Sequence, residues 1–394
     1  MTEGRPSGRH LLQIPGPTNV PDRVLRAMAR PVIDHRGPEF ARLTLSIFER
    51  LAEVFATTAP VVVFPSSGTG GWEAALVNTL SPGDGVLMFE TGHFAIMWGE
   101  VARRLGLEVE LVPGDWRSGV DATVIESRLR ADADHRIGAV AVVHNETSTG
   151  VASDISAVRR ALDRAGHPAL LLVDAISSLG SMEYRHDEWG VDVTVAGSQK
   201  GLMLPPGLAF NAVGERARAA MAAAQLPRSY WDWRPILSAN ERGFFPYTPA
   251  TNLLFGLDEA LTMLVMEEGM EAVCRRHRRF AEATRRAVAG WGLGLVARTP
   301  EEYSPTLTAV MVPDGCDADA LRQIILERFD MSLGTGLGKL QGKAFRIGHL
   351  GDLNELALAG TLCGVEMGLG LAQVPHVSGG VMAALDYLAG GDHE

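Results

Sequence analysis

Short apolar runs alternate with amphipathic helical patterns from residue 21 to about residue 267. The apolar runs are "VVVF", "GVLMF", "VELV", "IGAVAVVH", "ALLLVDA" and "VDVTVAG", and between them lie "WEAALVNTL", "WGEVARRLG", "VIESRLR" and "AVRRALDRAG". The runs are almost continuously hydrophobic, as expected for strands that are covered on both faces. This alternation predicts βαβ units around a mostly parallel sheet, and therefore an α/β protein.

The pattern changes after "EEGMEAVCRRHRRFAEATRRAVAGWG", which predicts a long basic amphipathic helix. The segments that follow, "TLTAVMVP", "ADALRQIILERF" and "KAFRIGHLG", indicate a smaller α+β domain. We therefore predict an N-terminal arm at residues 1–20, a large domain at residues 21–267 and a small C-terminal domain at residues 268–394. The most membrane-like stretch, "LALAGTLCGVEMGLGLAQV", has Glu366 near its middle, which favours a buried helix over a membrane span.

Composition and charge narrow the function classes. The net charge of -11 argues against a nucleic-acid surface. The three cysteines are far apart, with neither disulfide-framework nor metal-ligand spacing, so we expect a reducing cytoplasm and no metal site. The N-terminus has no apolar stretch typical of a signal peptide, and none is predicted.

Candidate chemistry follows three of the predicted strands, and open α/β sheets bind ligands at the carboxyl ends of their strands. A glycine-rich turn, Ser67 to Gly70, follows "VVVF" and opens a helix, which suits a phosphate but also fits a plain strand-to-helix turn. Asp174 follows "ALLLV" and could instead be a helix N-cap. Lys200 follows "VTVAGSQ" and could instead be a surface lysine.

Together, the three strand ends offer a phosphate cradle, a carboxylate and a partly desolvated lysine. Pyridoxal phosphate requires all three, because it carries a phosphate, a ring nitrogen that works as an electron sink when protonated, and an aldehyde that lysine captures. A carboxylate keeps the ring nitrogen protonated. A partly buried lysine has a lowered pKa and is nucleophilic. The sequence therefore predicts a pyridoxal phosphate site with Lys200 as its Schiff-base lysine.

Seven motifs in order resemble one family. They are "PGPTNVP", "SSGTGGWEAAL", "VVHNETSTGV", "LLLVDAISSLGS", "GSQKGLMLPPGLA", "FPYTP" and "FRIGHLGDLNEL". The chain resembles the class V aminotransferases of fold type I, in the serine–glyoxylate/alanine–glyoxylate branch, from about Leu11 to Leu369. The motifs "GSQKGLMLPPG" and "HNETSTGV" are closest to bacterial serine–glyoxylate aminotransferases, although an aspartate–glyoxylate relative has very similar motifs.

The resemblance implies roles at the matching cofactor-binding positions. Lys200 would carry the Schiff base and move the proton, and Asp174 would pair with the ring nitrogen. The remaining positions are Ser67, Gly68, Thr69 and Gln199 at the phosphate, Thr147 near the ring hydroxyl, and Phe94 and Ile176 on the two faces of the ring. Simple core packing is the alternative for Phe94.

Other matching positions concern the substrate and a second subunit. Arg346, in "FRIGHLG", matches the arginine that binds the substrate carboxylate. Thr248 matches a residue that reaches across a dimer interface to the neighbour's phosphate, and Phe245 replaces a tyrosine that touches that phosphate in some members. His35 and Arg36 fall in a loop that related sequences place over the partner's site; a solvated loop is the alternative.

The resemblance therefore implies a homodimeric aminotransferase with shared active sites, which moves an amino group from L-serine to glyoxylate by a ping-pong mechanism. Aspartate and alanine are the alternative donors. A cysteine desulfurase-like lyase is less well supported, because neither Cys316 nor Cys363 has a basic neighbourhood that would lower its pKa. A non-enzymatic binding protein of the same fold would be expected to lack Lys200, which is present.

Overall fold

The computed structural model describes residues 8–390. Its strands are β1 (Leu11–Gln13), β2 (Val61–Ser66), β3 (Gly85–Phe89), β4 (Glu108–Val112), β5 (Ile137–Val143), β6 (Asn145–Glu146), β7 (Val151–Ala152), β8 (Leu170–Asp174), β9 (Val193–Gly197), β10 (Gly207–Val213), β11 (Gly294–Leu295), β12 (Leu307–Met311), β13 (Met331–Thr335) and β14 (Ala344–Gly348).

The helices are α1 (Asp22–Met28), α2 (Pro38–Phe55), α3 (Gly68–Thr79), α4 (His93–Arg104), α5 (Ala122–Ala131), α6 (Ile155–Ala165), α7 (Glu215–Ala220), α8 (Trp233–Asn240), α9 (Thr251–Leu261), α10 (Met270–Gly290), α11 (Ala318–Phe329), α12 (Glu355–Leu371) and α13 (Gly380–Ala389). A π-helical segment, Thr262–Glu268, continues α9, and short 3-10 turns occupy Pro300–Glu302 and Gly338–Leu340.

The larger sheet has seven strands in the order β2-β10-β9-β8-β5-β3-β4. The pairs from β9 to β4 are parallel, and β10 alone runs in the opposite direction, antiparallel to both β2 and β9. The predicted mostly parallel sheet is therefore confirmed. Strand β10 was absent from the sequence prediction.

Helices cover both faces of this sheet, and this explains the apolar runs. Along β8, Leu171 and Val173 belong to one hydrophobic cluster, whereas Leu170 and Leu172 belong to another. Successive side chains of a strand point to opposite faces, so a sheet buried on both faces requires apolar residues at every position.

The smaller sheet has five strands in the order β1-β13-β14-β12-β11 and is antiparallel apart from the β1–β13 pair. With α10 to α13 packed beside it, it forms the predicted smaller α+β part. Its first strand comes from the predicted arm, which crosses over to pair with β13. Gly269, between the π-helical segment and α10, lies where the sequence predicts a division between two domains, and that division stays a prediction.

The membrane-like stretch "LALAGTLCGVEMGLGLAQV" begins in α12, and one side of this helix packs into the core of the smaller part. None of the helices within residues 8–390 is both long and apolar enough to cross a bilayer.

Candidate active site

Three strands of the larger sheet end at the same edge with polar groups. Strand β2 leads through Ser67 into α3, β8 ends at Asp174, and β9 leads through Gln199 to Lys200. The three strands point the same way because β10, which lies between β2 and β9, is antiparallel to both. Residues far apart in the sequence therefore meet at one edge, as the rule for open α/β sheets predicts.

A cavity of about 220 Å³ lies at this edge. It is lined by Gly16, Pro17, Ser67, Gly68, Thr69, Trp72, Phe94, Val143, Asn145, Thr147, Asp174, Ile176, Gln199, Lys200 and Pro206. The structure thus brings together nine of the residues that the sequence predicts for cofactor binding. Their individual roles stay predictions.

Lys200 lines this cavity and is buried, with 6% of its surface exposed. Its Nζ donates a hydrogen bond to the carbonyl oxygen of Pro15. Burial, together with the positive charge of Arg346, lowers the pKa of Lys200 to about 7, and the carboxylates of Asp174 and Glu146 offset part of this effect. A large fraction of this amine is therefore unprotonated near neutral pH.

Asp174 is also buried, and both of its carboxylate oxygens accept hydrogen bonds. The backbone N–H of Ile176 donates to Oδ1 over 2.7 Å, and the indole N–H of Trp72 donates to Oδ2 over 2.9 Å. Burial raises the pKa of Asp174 to about 7, although these two bonds act in the opposite direction. A cation placed next to this carboxylate would stabilise its charged form.

Arg346 lies in β14, behind the cavity wall. Its Nε donates to the carbonyl oxygen of Thr335 over 2.7 Å, and its Nη1 donates to that of Thr147, a cavity-lining residue, over 2.8 Å. Burial lowers the pKa of Arg346 to about 10, so the guanidinium remains charged at neutral pH. The arginine is thus held in a fixed orientation beside the lysine.

Three predicted residues lie away from the cavity of their own chain. Arg36 and Thr248 are exposed, and His35 is half-buried. The sequence prediction assigns them to the site of a neighbouring subunit, so the structure of a single chain does not test their roles. Phe245 is buried and packs edge-on against Phe40, with ring centroids 6.2 Å apart.

Several cavity-lining residues were missed by sequence reasoning, notably Gly16, Trp72 and Asn145. Gly16 has φ +120, and a Cβ there would lie 2.7 Å from the Nζ of Lys200, so this position needs glycine. The motifs "PGPTNVP" and "SSGTGGWEAAL" contain Gly16 and Trp72, but nothing local marks them as neighbours of Lys200 or Asp174.

The polar groups of the cavity fit pyridoxal phosphate. A buried oxygen of the cavity lining, Asn145 Oδ1, has no hydrogen-bond partner within the described chain, and a ligand with a donor group would supply one. The backbone N–H groups of Gly68 and Thr69 open α3 and likewise have no acceptor within residues 8–390. Such N–H groups suit a phosphate.

Comparisons with known proteins identify the family of the chain. The family model "Aminotransferase class-V" matches residues 10–338. The serine–glyoxylate aminotransferase of Methylorubrum extorquens is 49% identical over 98% of this chain and 98% of its own length. The L-aspartate–glyoxylate aminotransferase of Paracoccus denitrificans is 47% identical over 95% of each chain.

The crystal structure of pyridoxamine–pyruvate aminotransferase from Mesorhizobium loti superposes with a TM-score of 0.90 at 30% identity, over 98% of this chain and 100% of that one. This match, together with the family model, confirms the predicted fold type I. The chain belongs to the class V aminotransferases, whose cofactor is pyridoxal phosphate.

Proposed function

We propose that this aminotransferase moves the amino group of L-serine to glyoxylate, giving hydroxypyruvate and glycine. The observation that carries the proposal is the 49% identity, over nearly the full length, with a protein named serine–glyoxylate aminotransferase.

When bound, pyridoxal phosphate supplies an aldehyde that takes up an amino group and a ring that withdraws electrons from the neighbouring carbon. The N–H groups of Gly68 and Thr69, with the side chain of Gln199, would hold the phosphate. Asp174 would hold the proton on the ring nitrogen, and Phe94 and Ile176 would contact the ring faces. Each of these residues already lines the cavity.

Lys200 has two roles in the proposal. It would hold the cofactor covalently between turnovers and, once free, would accept the proton from the substrate Cα. Its pKa of about 7 favours this second role, because the unprotonated amine is the form that accepts a proton. The same group can return the proton in the reverse direction, so one lysine serves both halves of the reaction.

Arg346 would bind the carboxylate that donor and acceptor share. Its Nε and Nη1 are bonded to backbone carbonyls, whereas its Nη2 has no protein acceptor among the described residues. A guanidinium that is already oriented can bind a carboxylate without reorganising. One clamp for both substrates supports a ping-pong order, in which the keto acid product leaves before glyoxylate binds.

We also propose a homodimer with shared active sites. Thr248 and Arg36 lie exposed and away from their own cavity, which is compatible with the neighbour's site as their place of action. The apolar side chain of Val32, four residues before Arg36, is 72% exposed in the single chain, and a partner subunit would cover it.

A desulfurase would need a nucleophilic thiol at the cavity. Cys274, Cys316 and Cys363 are all absent from the cavity wall, and burial raises the pKa of Cys274 to about 11. A thiol with a raised pKa is a poor source of thiolate. These features favour amino transfer over sulfur transfer.

A steady-state comparison of serine, aspartate and alanine as donors to glyoxylate tests the proposal. We expect the highest kcat/KM with serine and parallel double-reciprocal lines, the pattern of a ping-pong reaction. A higher kcat/KM with aspartate would transfer the function to the second candidate, which the 47% identical Paracoccus denitrificans protein favours. Intersecting lines would contradict the ping-pong order.

A further inference from the structure

Glu146 is a fully buried carboxylate next to the cavity, with 0% of its surface exposed. No lysine or arginine forms an ion pair with it among the described residues. A buried charge is costly unless hydrogen bonds compensate it. The groups that donate hydrogen bonds to Glu146 therefore indicate its role.

The donors to Glu146 come from the start of α4 and from Ser148. Ala95 N–H donates to Oε2 over 3.1 Å, and Oε1 accepts from the Phe94 N–H over 3.4 Å. The backbone N–H of Ser148 donates to Oε1 over 2.9 Å and its hydroxyl over 2.7 Å. That hydroxyl in turn accepts from the N–H of His93 over 2.9 Å. The first three N–H groups of α4 are thus satisfied from a segment about 50 residues later.

Helix α4 has no cap of its own. Its N-cap residue is Gly92, which has no side chain. A Cβ at Gly92 would lie 2.6 Å from Cδ of Glu146, so the absence of a side chain there is what lets the carboxylate reach the helix. Glu146 takes the place that a serine or aspartate N-cap normally occupies.

The start of α4 and the segment that contains Glu146 both contribute residues to the cavity wall. Phe94, the second residue of α4, lines it, and so does Thr147, the residue after Glu146. The carbonyl oxygen of Thr147 accepts the Nη1 bond of Arg346. A displacement of Glu146 would therefore move an aromatic ring on one side of the cavity and the support of a guanidinium on the other.

We propose that Glu146 is a positioning residue, which fixes the ring of Phe94 against the cofactor and the guanidinium of Arg346 toward the substrate carboxylate. It touches neither ligand and acts through the N–H groups of α4 and the backbone of Thr147. The proposal rests on the cofactor and substrate roles given above for Phe94 and Arg346.

Glu146→Gln tests the proposal, because glutamine keeps the shape but turns an NH2 group toward the N–H of Ala95. Asp192→Asn is the control for loss of a buried carboxylate away from the cavity. Asp192 accepts the backbone N–H of Leu171 over 2.7 Å at the opposite end of the larger sheet and, unlike Glu146, also pairs with an arginine, Arg216, over 3.1 Å. Both variants lose a buried charged acceptor, and only one of the two acceptors lies at the cavity.

Three readouts separate positioning from plain stability. They are amide hydrogen exchange of residues 93–98 in the apoprotein, equilibrium binding of pyridoxal phosphate to the apoprotein, and KM for serine and glyoxylate. In Glu146→Gln we expect faster exchange, cofactor affinity lower by about tenfold or more, and a raised KM for both substrates. In Asp192→Asn we expect a lower melting temperature with cofactor affinity and both KM values unchanged.

The proposal is overturned if Glu146→Gln matches Asp192→Asn, with lost stability and unchanged cofactor affinity. If Glu146→Gln does not fold, Ser148→Ala, which removes the acceptor of the His93 N–H, should give the same changes at smaller size; unchanged exchange and affinity there would also overturn it. Phe94→Ala and Arg346→Lys test the direct roles on which the proposal rests, Phe94 at the cofactor and Arg346 at the substrate carboxylate. If Phe94→Ala leaves cofactor affinity unchanged and Arg346→Lys leaves both KM values unchanged, these direct roles are refuted, and the positioning role of Glu146 is refuted with them.

Discussion

Replacing Trp72 with phenylalanine isolates one hydrogen bond of the site. The indole N–H donates to Oδ2 of Asp174 over 2.9 Å, and both side chains are buried. The phenyl ring retains most of the apolar volume and lacks the N–H. Among the described residues, Asp174 then keeps one donor, the backbone N–H of Ile176. Its charged form therefore loses stabilisation relative to the neutral acid.

The expected size follows from the charge of the acceptor. A hydrogen bond to a charged group contributes about 1.5–3 kcal/mol, and about 1.4 kcal/mol corresponds to tenfold in an equilibrium constant. Affinity for a cofactor whose ring nitrogen pairs with ionised Asp174 should therefore fall by about ten- to hundredfold near neutral pH. Burial already raises the pKa of Asp174 to about 7, and loss of the N–H raises it further. The carboxylate ionises as pH rises through this pKa, so the pH at which binding is half-maximal should move upward.

Calorimetric titration of the apoprotein with pyridoxamine 5′-phosphate between about pH 6 and pH 9 measures both changes. This ligand has no aldehyde, so Lys200 forms no covalent bond with it. Trp98→Phe is the control, because Trp98 is equally buried, its ring stacks 5.9 Å from that of Trp72, and its N–H has no partner in the described structure. It should lose stability without a change in the pH midpoint. An unchanged midpoint in Trp72→Phe, or an equal displacement in Trp98→Phe, would refute the reasoning.

Lys200→Ala should show no multiple-turnover transamination, because it removes both the covalent attachment and the proton acceptor; sustained glycine production without an added amine would contradict this. Arg346→Lys should lower kcat/KM for serine and glyoxylate by a similar factor of about tenfold or more, because lysine keeps the charge but not the planar fork. Arg36→Ala should instead affect donors unevenly, with aspartate reduced more than serine, and the reverse pattern in these two variants would exchange their roles. Hybrid dimers of a Thr248→Val subunit and a Lys200→Ala subunit should have one site with both changes and one with neither; cofactor affinity that merely averages the two parents would exclude a cross-subunit role for Thr248.

The strand-end residues could be predicted because the physics that places them is local. A continuous apolar run predicts a buried strand, and the polar residue after it must lie at the sheet edge. Asp174 and Lys200 were found in this way, and the glycine-rich turn from Ser67 to Gly70 marks the third strand end. Arg346 depended on resemblance, because its partner carbonyls at Thr147 and Thr335 come from two separate parts of the chain.

Residues whose importance depends on distant partners could not be predicted. Trp72 has the appearance of an ordinary core residue of α3, and its tie to Asp174 spans 102 residues. Glu146 lies within "HNETSTGV", yet its burial at the start of α4 is visible only in three dimensions. Strand β10 was missed because its pattern, "GLAFNAV", follows a loop without an intervening helix and runs against the parallel order.

Strand β1 is synthesised early, but its pairing partner β13 is synthesised late, and this order affects how the protein assembles. His10, just before β1, bonds to Asp330, 320 residues further along the chain. A ribosome that adds about 5–20 residues per second leaves this first strand without its neighbour for roughly 15–60 s. During that interval Gly16 and Pro17, which follow β1 and form part of the cavity wall, have no anchored strand before them. The nascent chain can thus build the larger sheet early, but it completes the wall around Lys200 only after β13 has been synthesised, and we expect cofactor loading to follow that step.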